Sequence, residues 1–165
     1  MASLSLRQFL EYIQAFNAKD YQKQHSLYHS DVRLVIPDPE VGTLVGSAGI
    51  MNHYAILQAT AEEDVVPMLV MIDQGHSFFV METYFRYVQA TDHAVHGYYK
   101  AQAGGVIKVT VWALYDMDSG KIKHITCNGF NHEFLGKVDV DQRIHESWSR
   151  ADSTVKRCWG SASLL

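Results

Sequence analysis

The sequence has few of the residues that mark secreted or membrane-spanning proteins. It contains two cysteines, Cys127 and Cys158, and three prolines among 165 residues. Two cysteines cannot form the disulfide framework of a small secreted domain. No apolar run approaches the roughly 18 residues of a transmembrane helix, and the first residues do not resemble a signal peptide. We therefore expect a cytoplasmic protein that makes no use of a membrane.

Clustered positive charge and metal-binding motifs are also missing. The chain has 14 lysines and arginines against 18 acidic residues, a net charge of -4. A nucleic-acid-binding surface needs clustered positive charge, so no nucleic acid is expected as a partner. The nine histidines form neither HExxH nor a paired Cys/His spacing, and the sequence has no GxGxxG loop. We expect neither a metal nor a cofactor.

What the chain does have is a pattern of helices followed by strands. Ser5 and Gln8 have the spacing of a capping box, and apolar residues then recur at helical intervals, which predicts a helix over 5–18. Further helices are predicted over 20–28 and after Ser47. From residue 65 to 134 the chain is rich in β-branched and aromatic residues. This order predicts an α+β fold, with helices on one face of a curved antiparallel sheet.

The last 29 residues, 137–165, have a different pattern and form a predicted C-terminal tail. Its apolar residues fall on one face of a helix, at steps of three or four. We predict one amphipathic helix that packs on its own domain, covers a pocket as a lid, or reaches a partner subunit. The residues of this face are Val140, Ile144, Trp148, Ala151, Val155 and Trp159.

Three stretches resemble the NTF2-like superfamily, and within it the SnoaL-like polyketide cyclases and the ketosteroid isomerases. Residues 12–20 with 27–32 are similar to the opening helix and the entry to the first strand. Asp38-Pro39 with 46–50 is similar to the step before the third helix, and 118–122 to the turn into the last strand. The resemblance covers about residues 5–136, so we predict an NTF2-like domain over 1–136.

The resemblance implies a cone of three N-terminal helices packed on a strongly curved sheet around a deep apolar cavity. Members of the superfamily include enzymes, transport factors and dimerisation modules, so fold alone does not give function. The outer faces of such sheets often pair, which implies a homodimer formed by the strands between 65 and 134.

Two residues coincide with catalytic positions of the isomerases that the chain resembles. Tyr12 matches a tyrosine that donates a hydrogen bond to a substrate carbonyl. Asp38 matches an aspartate that moves a proton between carbons, chemistry that requires a carboxylate in an apolar pocket. Without the resemblance, Tyr12 could equally be a core tyrosine, and Asp38 a solvated residue of a Pro-Asp-Pro turn.

The third isomerase residue, a protonated aspartate, is replaced by Trp112. Its indole N–H could donate to a ligand, its ring could shape a pocket for a flat ligand, or the side chain could be part of the core.

His124 and Asn128 share one face of the last predicted strand with Ile122, and they line the cavity if Ile122 does. His124 is then a candidate acid or base, and His53 on the third helix could reach the cavity mouth. Each histidine could also be structural.

Glu82 and Arg86 alternate with Met81, Thr83 and Phe85 on one strand, so the two sets face opposite sides of the sheet. The polar set could form an outer surface, or the polar wall of a pocket in which Glu82 is a base and Arg86 a clamp. The alternation alone does not decide between them.

These observations and the resemblance together predict a cofactor-independent isomerase or cyclase of secondary metabolism. Tyr12, Asp38 and His124 would be its catalytic residues, and His53, Trp112, Asn128, Glu82 and Arg86 would bind substrate. The substrate would be a hydrophobic, carbonyl-bearing metabolite of the polyketide or terpenoid type. A dehydratase or hydrolase on the same fold, and a non-catalytic binding or dimerisation module, are the alternatives.

Overall fold

A computed structural model describes residues 4–160, which form six helical segments and eight strands. Within this range, no helix has the length and apolar character needed to cross a membrane. The helices are α1 (Leu6–Asn17), α2 (Tyr21–His25), α3 (Gly46–Gln58), α4 (Ala94–Gly97), α5 (Val140–Arg150) and α6 (Ser153–Trp159). The strands are β1 (Tyr28–Val35), β2 (Thr43–Val45), β3 (Ala61–Ile72), β4 (His76–Tyr87), β5 (Thr91–His93), β6 (Tyr99–Ala101), β7 (Val106–Asp118) and β8 (Lys121–Gly136).

Six strands form one sheet in the order β2-β1-β8-β7-β4-β3, and β5 pairs with β6 apart from it. The predicted α+β architecture of helices on a curved sheet is confirmed. One detail differs, because β1 and β8 run parallel while the other neighbours in the large sheet are antiparallel. The sequence analysis predicted an antiparallel sheet from the strands that follow residue 65, and it did not include β1 in that sheet.

Helix α1 lies on the inner face of the sheet and carries much of the core. Its N-terminus has the predicted capping box, in which Ser5 and Gln8 satisfy each other's backbone N–H groups. Phe9 is fully buried, and its ring meets Phe79 and Tyr115 edge to face at centroid distances of 5.3 and 4.9 Å. Burying such a side chain contributes about 1.5–3 kcal/mol, so α1 is held firmly against the sheet.

The C-terminal end of α1 is tied to the edge strand β3. The Asn17 side chain donates to the Val65 carbonyl at 2.8 Å and accepts from the Val65 N–H at 2.9 Å, as a neighbouring strand would. The Lys19 ammonium donates to the main-chain carbonyl of Glu63. These contacts fix the first residues of β3 relative to α1.

The tail is two helices rather than the single predicted helix. Ala151 is extended, and Asp152 begins α6 by accepting from the N–H groups of Thr154 and Val155. Aspartate is a preferred N-cap, so it starts a new helix where the apolar pattern alone continues the old one. Helix α6 packs against α1 and β3, and α5 packs against β3 and β4.

A buried acidic group fastens α5 to the outer face of the sheet. Glu82 accepts from Arg150 at 2.7 and 3.1 Å and from the Ser147 hydroxyl, and the Lys108 ammonium lies 3.9 Å away. Burial raises the pKa of Glu82, but the hydrogen bonds from Arg150 and Ser147 and the charge of Lys108 outweigh it and hold the pKa below its ordinary value. The ionised carboxylate therefore stabilises the docked tail.

We predict that Arg150→Met lowers the free energy of unfolding by about 1–2 kcal/mol at neutral pH, because Glu82 stays buried with fewer donors. The loss should shrink as pH falls through the pKa of Glu82, since a lowered folded-state pKa makes this contribution disappear in acid. Arg157→Met on α6 is the control, because Arg157 makes one exposed hydrogen bond, to Thr154. Equal denaturation midpoints for the two variants would contradict this role of Glu82.

Candidate active site

An apolar cavity of about 110 Å³ lies between α1, α3 and the inner face of the sheet. Most of its lining surface is apolar or aromatic, and the polar groups among it come from α1, α2, α3, α4, β1, β3, β4 and β7. Pockets that enclose a whole ligand usually have about 300–1,000 Å³. This inner cavity can therefore hold only part of the metabolite that the sequence predicts.

Two larger spaces adjoin the inner cavity. An outer recess of about 570 Å³ shares His53, Leu57 and His96 with it, and a side recess of about 320 Å³ shares Ile36, Phe85 and His96 among other residues. His96 borders all three spaces. A ligand larger than the inner cavity would therefore pass beside His96 and extend into a recess.

Tyr12 is at the centre of a group of buried phenols in the inner cavity. Its hydroxyl lies 3.1 Å from that of Tyr28, and the Gln24 amide is 3.5 Å from the Tyr28 hydroxyl. Burial raises the pKa of Tyr12, while hydrogen bonds from Tyr28, Gln24 and Tyr115 oppose that rise. Tyr12 is thus a protonated phenol whose oxygen is surrounded by donors, which suits it to donate a hydrogen bond to a ligand.

Glu63, on β3, places a carboxyl group in the same cavity. The side chain is 9% exposed, and burial raises the pKa of Glu63 to about 7, although the charge of Lys19 opposes the rise. Tyr54 also lines the cavity, and its pKa is raised well above the ordinary value by burial and then by the charge of Glu63. A carboxyl group with a pKa near neutrality can both accept and return a proton at physiological pH.

The sequence analysis missed Glu63 because it lies in a run of three acidic residues, 62–64, just before the predicted start of the strand. Such a run is typical of a solvated loop. In the structure β3 begins at Ala61 and Glu63 pairs with Phe85 on β4. Cross-strand partners share a face of the sheet, so the predicted apolar face of Met81, Thr83 and Phe85 was the signal that could have found it.

Two stacked histidines stand between the inner cavity and the outer recess. The rings of His53 on α3 and His96 on α4 are 5.2 Å apart and 20° from parallel. Burial lowers the pKa of His53 and lowers that of His96 to about 4, while the charge of Asp38 opposes both shifts. Both rings are therefore neutral at pH 7.

A strained turn holds His96 at this position. Val95 and His96 have φ of 50° and 59°, a left-handed conformation that costs a non-glycine residue about 1–3 kcal/mol. The Val95 N–H donates to the hydroxyl of Tyr87 at 2.9 Å, which helps to hold the turn. The sequence analysis assigned no role to His96, since nothing in its neighbours predicts this backbone.

Asp38 is buried, at 5% exposure, so it is not the solvated turn residue that the sequence also allowed. Its Oδ1 accepts from the Glu40 N–H at 2.8 Å, and the side chain lines the outer recess. Tyr12 and Glu63 line the inner cavity instead. The structure therefore does not bring Asp38 and Tyr12 to the same space.

His124 does not line the cavity. It lies on the opposite side of β8 from Ile122 and Ile125, where its Nδ1 is 3.2 Å from Asp116. A β-bulge explains the error, because Asp116 pairs with His124 and Met117 with Ile122, which leaves Lys123 as an extra residue. One extra residue reverses the alternation that the sequence analysis assumed.

The same bulge places Asn128 on the outer face, and Trp112 on β7 faces the same side. They are direct partners across β7 and β8. Trp112 is 52% exposed and contacts Phe130 edge to face at 4.8 Å, so it is neither a core residue nor part of the inner cavity. Asn128 borders the side recess but not the inner cavity.

Glu82 and Arg86 also lie outside the inner cavity, which corrects their reading as a pocket wall. Glu82 binds Arg150 of the tail, and Arg86 pairs with Glu62 at the surface. Thr83 and Phe85, from the other face of the strand, line the cavity. Of the eight predicted site residues, Tyr12 and His53 line the inner cavity, while Asp38 reaches the outer recess.

Comparison with known proteins agrees with this architecture. The family model of the SnoaL-like domain matches residues 9–125. No curated protein matches the sequence. A proposed polyketide cyclase of Pseudomonas putida has a similar structure, with a TM-score of 0.63, 20% identity, and coverage of 78% of this chain and 93% of that one.

Two further solved structures are similar in fold. An NTF2-like protein of unknown function from Burkholderia pseudomallei has a TM-score of 0.58 at 15% identity, with 86% of this chain and 97% of that one covered. TerC, crystallised with polyporic acid, has a TM-score of 0.59 at 17% identity, with 88% and 99% covered. At these identities the likeness concerns the fold.

We predict that Glu63→Gln raises the free energy of unfolding by roughly 3 kcal/mol at pH 8 and changes it little at pH 4. The folded state raises the pKa of Glu63 from 4.5 to about 7. The carboxyl group therefore ionises less readily in the folded state than in the unfolded state, and the fold loses stability as the pH rises from 4.5 to about 7. Glu62→Gln is the control, because Glu62 is exposed. Thermal unfolding of both variants between pH 4 and 8 measures the effect, and a Glu63→Gln curve parallel to the wild-type curve would contradict it.

Proposed function

This chain belongs to the family of SnoaL-like domains, and we propose that it is a cofactor-independent isomerase or cyclase acting by general acid–base catalysis. Its substrate is a hydrophobic, carbonyl-bearing metabolite of the polyketide or terpenoid type. The observation that carries the proposal is the buried Glu63 carboxyl group with a pKa of about 7 in the cavity that Tyr12 lines. We assign the base to Glu63 rather than to Asp38 or His124, which do not line this cavity.

In the first step, the Glu63 carboxylate removes a proton from a carbon next to the substrate carbonyl. The C–H electron pair becomes the enolate, and the proton stays on Glu63. An apolar environment supports this step, since a poorly solvated carboxylate is a stronger base than one in water.

The negative charge that develops on the carbonyl oxygen needs a hydrogen-bond donor. Tyr12 is placed to supply it, because Tyr28 and Gln24 extend a chain of hydrogen bonds behind its hydroxyl. Donors already oriented in a low-dielectric site stabilise an oxyanion more than water does. The Tyr12 proton is shared with the oxygen and is not consumed.

The protonated Glu63 then returns the proton to a different carbon, or the enolate carbon attacks a second carbonyl carbon of the same molecule. In the second case the π electrons of that carbonyl move to its oxygen, and the oxygen takes the proton from Glu63. The first outcome is an isomerisation and the second closes a ring. Neither consumes an oxidant, a reductant or a second substrate, so neither requires a redox cofactor.

The size of the inner cavity favours one alternative, a ligand-binding module without catalysis. A volume of about 110 Å³ admits only the reacting end of a polycyclic molecule. The enzyme proposal therefore requires that the remainder of the substrate occupy the recesses beside His96.

We predict that the protein accelerates exchange of α-protons for deuterium in a panel of hydrophobic ketones, followed by mass spectrometry in D₂O. Glu63→Gln should lower the rate by about 10²–10⁴-fold, and Tyr12→Phe by about 10²–10³-fold. Glu62→Gln, one residue away and exposed, should keep the wild-type rate.

Full exchange activity in Glu63→Gln would refute the assignment of the base. Binding of the ketones without any exchange in the wild type would favour the ligand-binding module. A product lighter by one water molecule would instead identify a dehydratase.

We also propose that the protein is a homodimer formed through the outer face of the sheet. Four large apolar side chains on this face are substantially exposed, which is unusual for a monomer. They are Met71, Trp112, Leu114 and Phe130. Trp112 and Phe130 are in contact, so this part of the patch is continuous.

The wild type should elute as a dimer at micromolar concentration in size-exclusion chromatography with light scattering. Trp112→Lys should elute as a monomer, because it places a charge in the apolar patch. Val88→Lys, at an exposed site after the end of β4, should leave the dimer intact. A monomeric wild type would rule out the dimer.

A further inference from the structure

The outer recess has the character of a binding site of its own. It has about 570 Å³ of space and lies beside the inner cavity, from which His53 and His96 separate it. Its walls include Val41, Leu44 and Ile56, so an apolar ring could occupy it. Two residues that line it, Asp38 and His53, each have a buried polar atom without a hydrogen-bond partner among residues 4–160.

The first is Oδ2 of Asp38. The Asp38 side chain is 5% exposed, and its Oδ1 is occupied by the Glu40 N–H at 2.8 Å. Oδ2 is buried and accepts no hydrogen bond from residues 4–160. A buried carboxylate oxygen without a donor is costly, so such an atom usually has a partner that the protein itself does not supply.

The second is Nε2 of His53, which is also buried and has no hydrogen-bond partner in the described part of the chain. Burial lowers the pKa of His53, so the ring is neutral at pH 7. A neutral imidazole with its proton on Nε2 donates one hydrogen bond there. The stacked ring of His96 limits how far the His53 ring can turn.

We propose that the outer recess binds a hydroxyl group at the end of the substrate remote from its carbonyl, with Asp38 and His53 as the residues that recognise it. A hydroxyl group is both a donor and an acceptor. Its proton is donated to Oδ2 of Asp38, and its oxygen accepts from Nε2 of His53. This inference rests on the proposed function, because it takes the carbonyl end of the same molecule to lie near Tyr12 and Glu63.

The acidic residues around the recess disfavour a substrate carboxylate or phosphate. Asp38 and Glu40 both line it together with three histidines, of which burial keeps His53 and His96 neutral, and no lysine or arginine is among its described lining residues. An ether or a methyl group would fill the space and leave Oδ2 without a donor. The recess therefore selects hydroxylated molecules over their deoxygenated or methylated analogues.

The test uses three bicyclic aryl ketones that differ at one position. They are α-tetralone, its derivative with a hydroxyl group para to the carbonyl, and the methyl ether of that derivative. By isothermal titration calorimetry, the wild type should bind the hydroxyl compound about tenfold more tightly than the methyl ether, as expected for a hydrogen bond to a charged acceptor.

Asp38→Asn is the informative variant. Its Oδ1 can still accept from the Glu40 N–H, so the turn should be retained, while an NH₂ group replaces Oδ2. The preference for the hydroxyl compound should then vanish or reverse, and the affinity for α-tetralone should not change. The control is Asp73→Asn, where an exposed aspartate makes a similar turn by accepting from the N–H groups of Gly75 and His76.

Glu63→Gln separates the failure of this inference from the failure of the proposed function. It should abolish proton exchange and keep the preference for the hydroxyl compound. Equal affinities of the wild type for the three ketones, no binding of the hydroxyl compound, or an unchanged preference in Asp38→Asn would each overturn the inference. The proposed function alone would be overturned by a different pair of results. In that case Glu63→Gln would keep the wild-type exchange rate, while the preference for the hydroxyl compound would still be lost in Asp38→Asn.

Discussion

The site depends on an ionisable carboxyl group that lies where water solvates its charge poorly. Glu63 is surrounded by aromatic and apolar side chains, and its pKa rises to about 7 because burial disfavours the anion. A carboxyl group with a pKa in this range can both take up and release a proton near neutral pH. The same burial costs stability whenever the carboxyl group ionises, so the surrounding fold must be strong enough to hold it there.

The contacts around α1 and β3 meet this requirement. Helix α1 is anchored by Phe9 in the core, and Asn17 and Lys19 bind the backbone of β3 at Val65 and at Glu63 itself. Tyr12 lies on the same helix, so the proposed hydrogen-bond donor and the proposed base are positioned by α1 and by the strand tied to it. The position of Glu63 relative to Tyr12 is therefore set by contacts to the main chain of β3, and the mobility of surface side chains affects it little.

The sequence was informative wherever local patterns determine structure. The capping box and the helical spacing of apolar residues predicted a helix over 5–18, and the structure has α1 at Leu6–Asn17 with this capping box. The pattern failed where one extra residue changes the alternation of a strand, as at Lys123 in β8, whose bulge turns His124 and Asn128 away from the cavity. Glu63 was missed for a related reason, because its burial comes from pairing with a strand 22 residues later in the chain. The homodimer and the role of the buried Asp38 remain predictions.

The most direct test of this account is the titration of the Glu63 carboxyl group by NMR, using protein labelled with ¹³C at the glutamate side-chain carboxyl carbon and Glu63→Gln to assign the resonance. We predict a midpoint near pH 7, as the buried position requires. A midpoint near 4.5, the ordinary value for glutamate, would show that the carboxyl group is solvated, and would contradict its role as the base.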